Sequence, residues 1–347
     1  MMKALVYRGA GSLVLEELPR PHPGLGEALL RVDACSICGT DLRIVAGGHR
    51  SYKEGSSRIP GHEIAGTVVE TGDGAAANIG ERVFVAPNYG CGCCRSCLIG
   101  QVNLCEEPRA VGISENGGFA EYVLVPRDLV DQGNLLRFGP GADPAAVALT
   151  EPLACALRGS RACRIGDGDV VVVYGAGPVG LFHVALARLA GARAVIVCEP
   201  NLERRQRALK WGATSAHDAC FEELRQALDD AGARRGADAV VVAAPVALAQ
   251  AQALELAGPQ GRVNFFAGLP REGSRVELDS NLIHYKELVV TGTTASTNDE
   301  CRAALGLIVD GQVAAGALVD ARFDLASAAR AFALAGSGRA LKVVIEP

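Results

Sequence analysis

Several features are missing from this 347-residue chain, and each absence removes a class of function. No apolar run approaches the roughly 20 residues that a membrane-spanning helix needs, so no spanning segment is expected. There is no dense Lys/Arg run, and the formal charge is -5, which leaves no electrostatic footprint for nucleic acid or an anionic membrane. Small-molecule partners are the expectation. Internal repeats and low-complexity linkers are also absent. The opening Met1-Met2-Lys3-Ala4-Leu5-Val6-Tyr7 is too short an apolar run for a signal peptide and reads as a strand, so a cytoplasmic protein is expected. What is present is an ordinary globular composition, 49% hydrophobic and 21% charged, in a chain longer than one core usually grows. Two domains are the natural reading.

Cysteine is plentiful, and its distribution is informative. Of 12 cysteines, Cys91, Cys93, Cys94, Cys97 and Cys105 fall within 15 residues. In a long, unsecreted chain a metal accounts for such a cluster better than disulfides do. The spacing C-x2-C-x2-C-x7-C of Cys91, Cys94, Cys97 and Cys105 supplies four thiolates for one tetrahedral zinc ion with no open position, a structural staple. Cys155, Cys163, Cys198, Cys220 and Cys301 lie among apolar or helical residues and read as buried, inert thiols.

The first 150 or so residues are rich in Gly, Pro and short β-branched runs such as Ala28-Leu29-Leu30-Arg31-Val32, which predict short strands in a partly open barrel. Beyond that, apolar strands alternate with Ala/Leu/Arg-rich helices, the texture of a parallel sheet covered by helices. Its clearest unit begins with the strand at 170–174 and turns through Gly175-Ala176-Gly177-Pro178-Val179-Gly180. A helix ended by Gly191 follows, and then the strand Ala194-Val195-Ile196-Val197-Cys198-Glu199. Further strands are expected at 239–243, 262–266, 288–292 and 341–345. Helices are expected at 246–257, 299–309 and 325–334. The last strand can return to the first domain.

In that βαβ setting Gly175 serves the tight turn, Gly177 the close approach of backbone to a pyrophosphate, and Gly180 the packing of helix on strand. The helix N-terminus supplies an anion site. Glu199, 19 residues beyond Gly180, can accept hydrogen bonds from both ribose hydroxyls of an adenosine and would repel a 2′-phosphate, which favours NAD over NADP. Arg204 and Arg205 follow closely and either soften that preference or form a solvated helix face with Glu203.

A second metal candidate is dispersed along the chain: Cys38 in Cys38-Gly39-Thr40-Asp41, His62-Glu63 after Gly61, and Glu151 before Pro152. A thiolate, an imidazole and carboxylates can hold zinc with a position left for water or a substrate oxygen. Zinc so placed lowers the pKa of a bound alcohol, and a nicotinamide would then accept the hydride.

These linked motifs, CGTD, GHE, the four-cysteine lobe, EPLA and GAGPVG, resemble the zinc-dependent medium-chain alcohol dehydrogenases, on the branch with sorbitol and threonine dehydrogenases. The resemblance runs from Met2 through Gly117-Gly118-Phe119-Ala120-Glu121-Tyr122 to Val344. It implies an α/β chain: a GroES-like catalytic domain, a partly open β-barrel formed by residues 1–150 and completed by 295–347, and a doubly wound Rossmann NAD-binding domain at 151–294. It also implies that Cys38, His62 and Glu63 ligate a catalytic zinc, and that Glu151 either ligates it or binds its water. Cys91, Cys94, Cys97 and Cys105 match structural-zinc ligands, and Cys93 is the odd one out. Cofactor contacts are implied at Gly175, Gly177, Pro178, Val179, Gly180, Glu199 and Arg204. Later contacts are implied at Ala267, Gly268, Leu269, Thr293 and Thr294.

Thr40 occupies the place of the hydroxyl that relays the substrate proton. Many relatives carry a histidine three residues later, where this chain has Arg43, which cannot accept a proton. The exit must therefore differ, with Asp41 or the cofactor ribose as candidates. Ala295-Ser296 stand where sorbitol dehydrogenases carry an Arg-Tyr pair, and Asn88 where threonine dehydrogenases carry a histidine, so neither substrate is supported. The pocket can be lined by Ile44, His49, Tyr52, Lys53, Asn88, Glu115 and Thr294. His49, Arg50 and Lys53 either meet a polar or anionic group or form a solvated loop. His284-Tyr285-Lys286-Glu287 reads as capping and packing. The expectation is therefore a zinc-dependent enzyme moving hydride between NAD(H) and a secondary alcohol or ketone, on a polyol, sugar derivative or cyclitol. It would work as a homodimer or homotetramer, with an NADPH-dependent ketoreductase as the alternative.

Overall fold

The fold was taken from a computed structural model, which describes residues 1–53 and 55–347. The chain divides into two compact units, one of Met1–Ala154 with Ala295–Pro347 and the other of Cys155–Thr294.

In the first unit a sheet runs in the order Val319–Phe323, Lys342–Ile345, Ala28–Ser36, Glu63–Thr71, Arg82–Val85, Leu135–Arg137, with Tyr122–Val125 also pairing on Ala28–Ser36. Met2–Gly9 and Ser12–Leu18 add a hairpin. Short β-branched runs bounded by glycine and proline make this architecture, because each strand buries Val, Ile and Leu and then turns. Leu30, Val32, Ile64, Val68, Val83, Val123 and Val343 form one apolar core. The C-terminal strand does return: Val344 lies opposite Ser36, and Ser36 opposite Glu63, so one row of the sheet joins the chain's end to its first third.

The second unit holds six parallel strands in the spatial order Ser215–His217, Ala194–Cys198, Val170–Tyr174, Ala237–Val242, Ala257–Phe265, Val289–Gly292. Numbered along the chain within this unit, that order is 3-2-1-4-5-6, the doubly wound dinucleotide-binding arrangement. Val170–Tyr174 is buried at every residue, as a central parallel strand covered on both faces requires.

Two expected elements and one expectation about burial differ from what is observed. The strand expected at 262–266 begins earlier, as Ala257–Phe265, with Gln260 at φ 58° inside the stretch where its register with Ala237–Val242 shifts. The helix expected at 325–334 is divided: Asp324 accepts a hydrogen bond from the Ser327 amide (2.9 Å) and tightens Leu325–Ser327 into a 3₁₀ turn before the helix Ala328–Gly336. Of the scattered cysteines, Cys163, Cys198 and Cys301 are buried, but Cys155 and Cys220 are only partly so. No helix among the described residues is long and apolar enough to cross a membrane.

Candidate active site and metal centres

Sheet register explains how Cys38 and His62 meet. Cys38 follows the strand Ala28–Ser36 and caps the helix Gly39–Val45, while His62 immediately precedes Glu63–Thr71. The two strands are antiparallel neighbours with Ser36 opposite Glu63, so the end of one lies against the start of the other. Gly61 makes the approach possible: it adopts φ +100°, and a Cβ there would lie 2.8 Å from Cys35 Sγ. As a result Cys38, His62 and Glu63 bring a sulfur, a ring nitrogen and a carboxylate oxygen within 4.8 Å of one another.

Asp41 organises this group. One carboxylate oxygen accepts the Cys38 amide (2.9 Å), and the other faces His62 Nδ1 at 3.4 Å, close enough to orient the ring although too long for a good hydrogen bond. His62 is thereby turned to offer Nε2, the usual arrangement of a ligating histidine whose other nitrogen faces a carboxylate. Burial opposes an imidazolium here, but Asp41 and Cys38 outweigh it and raise the His62 pKa well above its ordinary value.

Glu63 has a partner that sequence reasoning missed. Lys342 Nζ, buried, donates to both Glu63 oxygens at 2.6 and 2.5 Å, and also lies 3.4 Å from the Ile37 carbonyl. Burial disfavours the ammonium, yet Glu63, Cys38 and Glu151 together raise its pKa. Glu63 is therefore a carboxylate shared between the donor cluster and a lysine. Glu151 is also buried and bears on Lys342, but it does not belong to the group of donors within 4.8 Å. A thiolate, an imidazole and one carboxylate are a chemically sound donor set for zinc.

The lobe at 91–105 is a different kind of centre. Cys91, Cys94, Cys97 and Cys105 converge within 4.8 Å, and Cys93 does not join them. Cys94 Sγ and Cys105 Sγ are 3.8 Å apart, which is about the edge of a tetrahedron with 2.3 Å Zn–S bonds. Backbone amides of Cys91, Cys94 and Glu107 each point at a ligand sulfur at 3.3 Å, as thiolates require. A Cβ on Gly90 would sit 2.3 Å from Cys97 Sγ, so the loop is shaped around its sulfurs. Cys93 is exposed, with its sulfur 3.6 Å from that of Cys91.

In the second unit the glycine turn divides its labour as its spacing suggested. Gly175 adopts φ +96°, and a Cβ at Gly180 would lie 2.0 Å from the Gly175 carbonyl oxygen. At Gly177 a Cβ would meet nothing within 4 Å, which leaves open space for a phosphate group. Gly177 caps the helix Pro178–Leu189, with Pro178 at its first position and Val179 following. Glu199 accepts the Ala176 amide (2.8 Å) and the Asn201 amide (3.0 Å), so it braces the turn while each oxygen keeps a second acceptor site. Arg205 donates to the carbonyls of Glu199 and Pro200, a backbone anchor rather than a ribose contact. Ala267, Gly268 and Leu269 follow the strand ending at Phe265. Thr293 and Thr294 follow Gly292, so all five lie past the carboxyl ends of parallel strands, where such sheets bind ligands.

Several expected pocket residues are engaged elsewhere. Ile44 and Tyr52 pack with Tyr7 in a separate apolar cluster, and the Tyr52 hydroxyl donates to Gly112. Glu115 accepts from the Tyr89 hydroxyl, and Asn88 donates to the Ser296 carbonyl. Lys286 does cap: its Nζ donates to the carbonyls of Leu254, Glu255 and Ala257, at the end of the helix Ala247–Leu256.

Comparisons with known proteins agree with this architecture. Residues 24–132 match the family described as alcohol dehydrogenase GroES-like domain, and residues 178–310 match zinc-binding dehydrogenase. Sorbitol dehydrogenase of Halalkalibacterium halodurans is 30% identical over 354 aligned positions, covering 100% of this chain and 99% of the relative. L-threonine 3-dehydrogenase of Pyrococcus abyssi is 35% identical over 297, covering 85% and 83%. A crystal structure from Sinorhizobium meliloti 1021, bound to NADP, superposes with a TM-score of 0.92 at 34% identity, covering 100% and 99% of the two chains. The chain belongs to the zinc-binding medium-chain alcohol dehydrogenase family.

Proposed function

We propose that this enzyme interconverts a secondary alcohol and a ketone with NAD(H), acting on a polyol, sugar derivative or cyclitol. Support comes above all from the convergence of Cys38, His62 and Glu63, which sequence separates but the sheet register joins. Those three residues would hold the catalytic zinc, with Glu151 either ligating it or binding its water. Cys91, Cys94, Cys97 and Cys105 would hold the structural ion. When bound, zinc supplies Lewis acidity that makes a substrate hydroxyl easier to deprotonate.

In this reading Thr40 Oγ1 receives the substrate proton and passes on its own. Arg43 donates to Thr40 (3.1 Å) and cannot take that proton. Asp41 is committed to the Cys38 amide and His62, so the cofactor ribose is the better exit. Lys342 balances the charge of Glu63. Gly177, the Pro178 helix N-terminus and Glu199 would seat the dinucleotide, with Arg204 at its rim.

NAD is favoured over NADP because a carboxylate, Glu199, follows the second strand, where a ribose would lie, and Arg205 is fixed on backbone carbonyls. The alternative, an NADPH-dependent ketoreductase, draws support from the NADP-bound structure at 34% identity. The strand Val289–Gly292 is an open sheet edge with Val289 and Tyr285 exposed, and pairing there would give a homodimer. Cysteines that hold metal or stand outside disulfides fit a reducing cytoplasm. A zinc-loaded screen for NAD reduction over polyols, sugar phosphates, cyclitols and amino alcohols tests the reading, repeated with NADP. Turnover with NAD on one of these classes is expected. Absence of turnover on all of them, or a strong NADP preference, would contradict it.

A further inference from the structure

The relay hydroxyl has an unusual neighbour. Arg43 lies three residues beyond Thr40 on the helix Gly39–Val45, on the same face, and its Nη2 donates to Thr40 Oγ1 at 3.1 Å. That bond uses one of five guanidinium N–H donors. Among the described residues Arg43 has no carboxylate within ion-pair distance, and neither do Arg50 and Lys53. Several arginines elsewhere in the same unit are answered, Arg8 by Glu16, Arg31 by Asp33, Arg109 by Asp128 and Arg322 by Asp143. Arg58 is spent on the carbonyls of Ser51 and Ile113, where it holds the 49–52 turn in place.

The acids around the donor cluster are committed as well. Asp41 serves the Cys38 amide and His62, Glu63 serves Lys342, and Glu115 serves Tyr89. His49 is partly buried beside this group. Its Nδ1 accepts the Ser51 amide (3.2 Å), which leaves Nε2 to carry the proton as a donor. Burial first, then Arg43, Arg50 and His62, lower its pKa against the opposing pull of Asp41. Arg43 therefore brings a positive charge and further N–H donors to the atom that would accept the substrate's proton. A neutral polyol offers no charge to match the guanidinium, whereas a planar oxyanion suits its fork.

We infer that Arg43, assisted by His49, binds an anionic oxyacid group on the substrate, a carboxylate or a phosphate ester close to the reacting carbinol. The preferred substrate is then a hydroxy acid or a phosphorylated polyol rather than a neutral one. This rests on the alcohol-oxidising reading of the Cys38 cluster. Because Arg43 touches the relay hydroxyl, the anionic group sits one or two carbons from the oxidised position.

Matched pairs test it: an aldonate against its polyol, and a polyol phosphate against the same polyol, each oxidised with NAD by the zinc-loaded enzyme. The two arms separate carboxylate from phosphate. An anionic member of one pair should lead in kcat/KM by about ten- to hundredfold, the worth of a charged hydrogen-bond pair. Arg43→Gln should erase that lead by raising KM for the anion alone, with KM for NAD unchanged, and Arg43→Lys should restore part of it. A merely structural role would lower kcat equally for both members. Equal use of neutral and charged members, or an Arg43→Gln variant that raises KM for NAD while preserving the ratio, would overturn the inference and assign Arg43 to the cofactor. Neutral polyols turned over well would sink this inference alone. No turnover of any alcohol would sink the parent reading with it.

Discussion

The lobe draws four like donors from 15 consecutive residues, whereas the Cys38 cluster assembles unlike donors at the meeting ends of two antiparallel strands and receives Lys342 from the chain's end. The lobe is partly exposed, is braced by amides pointing at sulfur, and offers four thiolates, which saturate a tetrahedral ion. The Cys38 cluster is largely buried, mixes donor types, and has one carboxylate already claimed by a lysine, so coordination there can remain incomplete. Chemistry needs the incomplete site, and stability is served by the complete one. A centre that only staples can be written locally in sequence. A centre that reacts has to be held by the whole sheet.

The largest effect should come from breaking the reactive cluster. Cys38→Ser or His62→Ala should cut NAD-linked turnover by about a thousandfold or more while circular dichroism stays that of the parent. Next is its charge balance: Lys342→Met leaves Glu63 buried without its cation and should cost about 3–5 kcal/mol in denaturant unfolding. A loss under about 1 kcal/mol would mean that Glu63 finds water or another cation.

How far the sequence reached follows the same division. The lobe and the glycine turn were readable because their residues are neighbours in the chain, and the alternation after residue 170 was enough to suggest the parallel sheet. Cys38 and His62 were recognisable as donors, but their meeting depends on Ser36 facing Glu63, a register set by the whole strand pair. Lys342 was out of reach for a stronger reason: it lies 279 residues from Glu63 and arrives only because the last strand pairs with Ala28–Ser36. A trace of it existed, since a lysine opens the otherwise apolar run Val343-Val344-Ile345. His183 left no trace at all. It sits within the apolar periodicity of the Pro178 helix, fully buried, with Nδ1 3.4 Å from Ser160 Oγ and Phe266 edge-on to its ring.

That histidine sharpens the comparison. His62 has Asp41 and Cys38 to favour its charge, whereas burial alone governs His183 and lowers its pKa to about 3. Since the unfolded chain binds a proton near pH 6.5 and the folded one does not, this contribution is complete above pH 6.5 and lost progressively as pH falls towards 3. Unfolding measurements should show a loss of about 2 kcal/mol from this group between pH 6.5 and 5. His183→Leu should flatten that slope, and an unchanged slope would show that the ring is hydrated. The smallest effect expected is at Asp41. Asp41→Asn keeps the shape but weakens the orientation of His62, and should lower zinc affinity at the Cys38 cluster by about ten- to hundredfold without affecting the lobe.

The division between a reacting and a stapling centre is tested most directly by zinc content, melting temperature and turnover measured together on Cys38→Ser and Cys97→Ser. Each variant should lose the ion of its own cluster and keep the other. Cys38→Ser should be inactive at nearly the parent melting temperature, and Cys97→Ser should melt about 10 °C lower or more, since the binding energy of a structural ion is folding energy. A Cys97→Ser protein as stable as the parent, or a Cys38→Ser protein with undiminished turnover, would contradict the account.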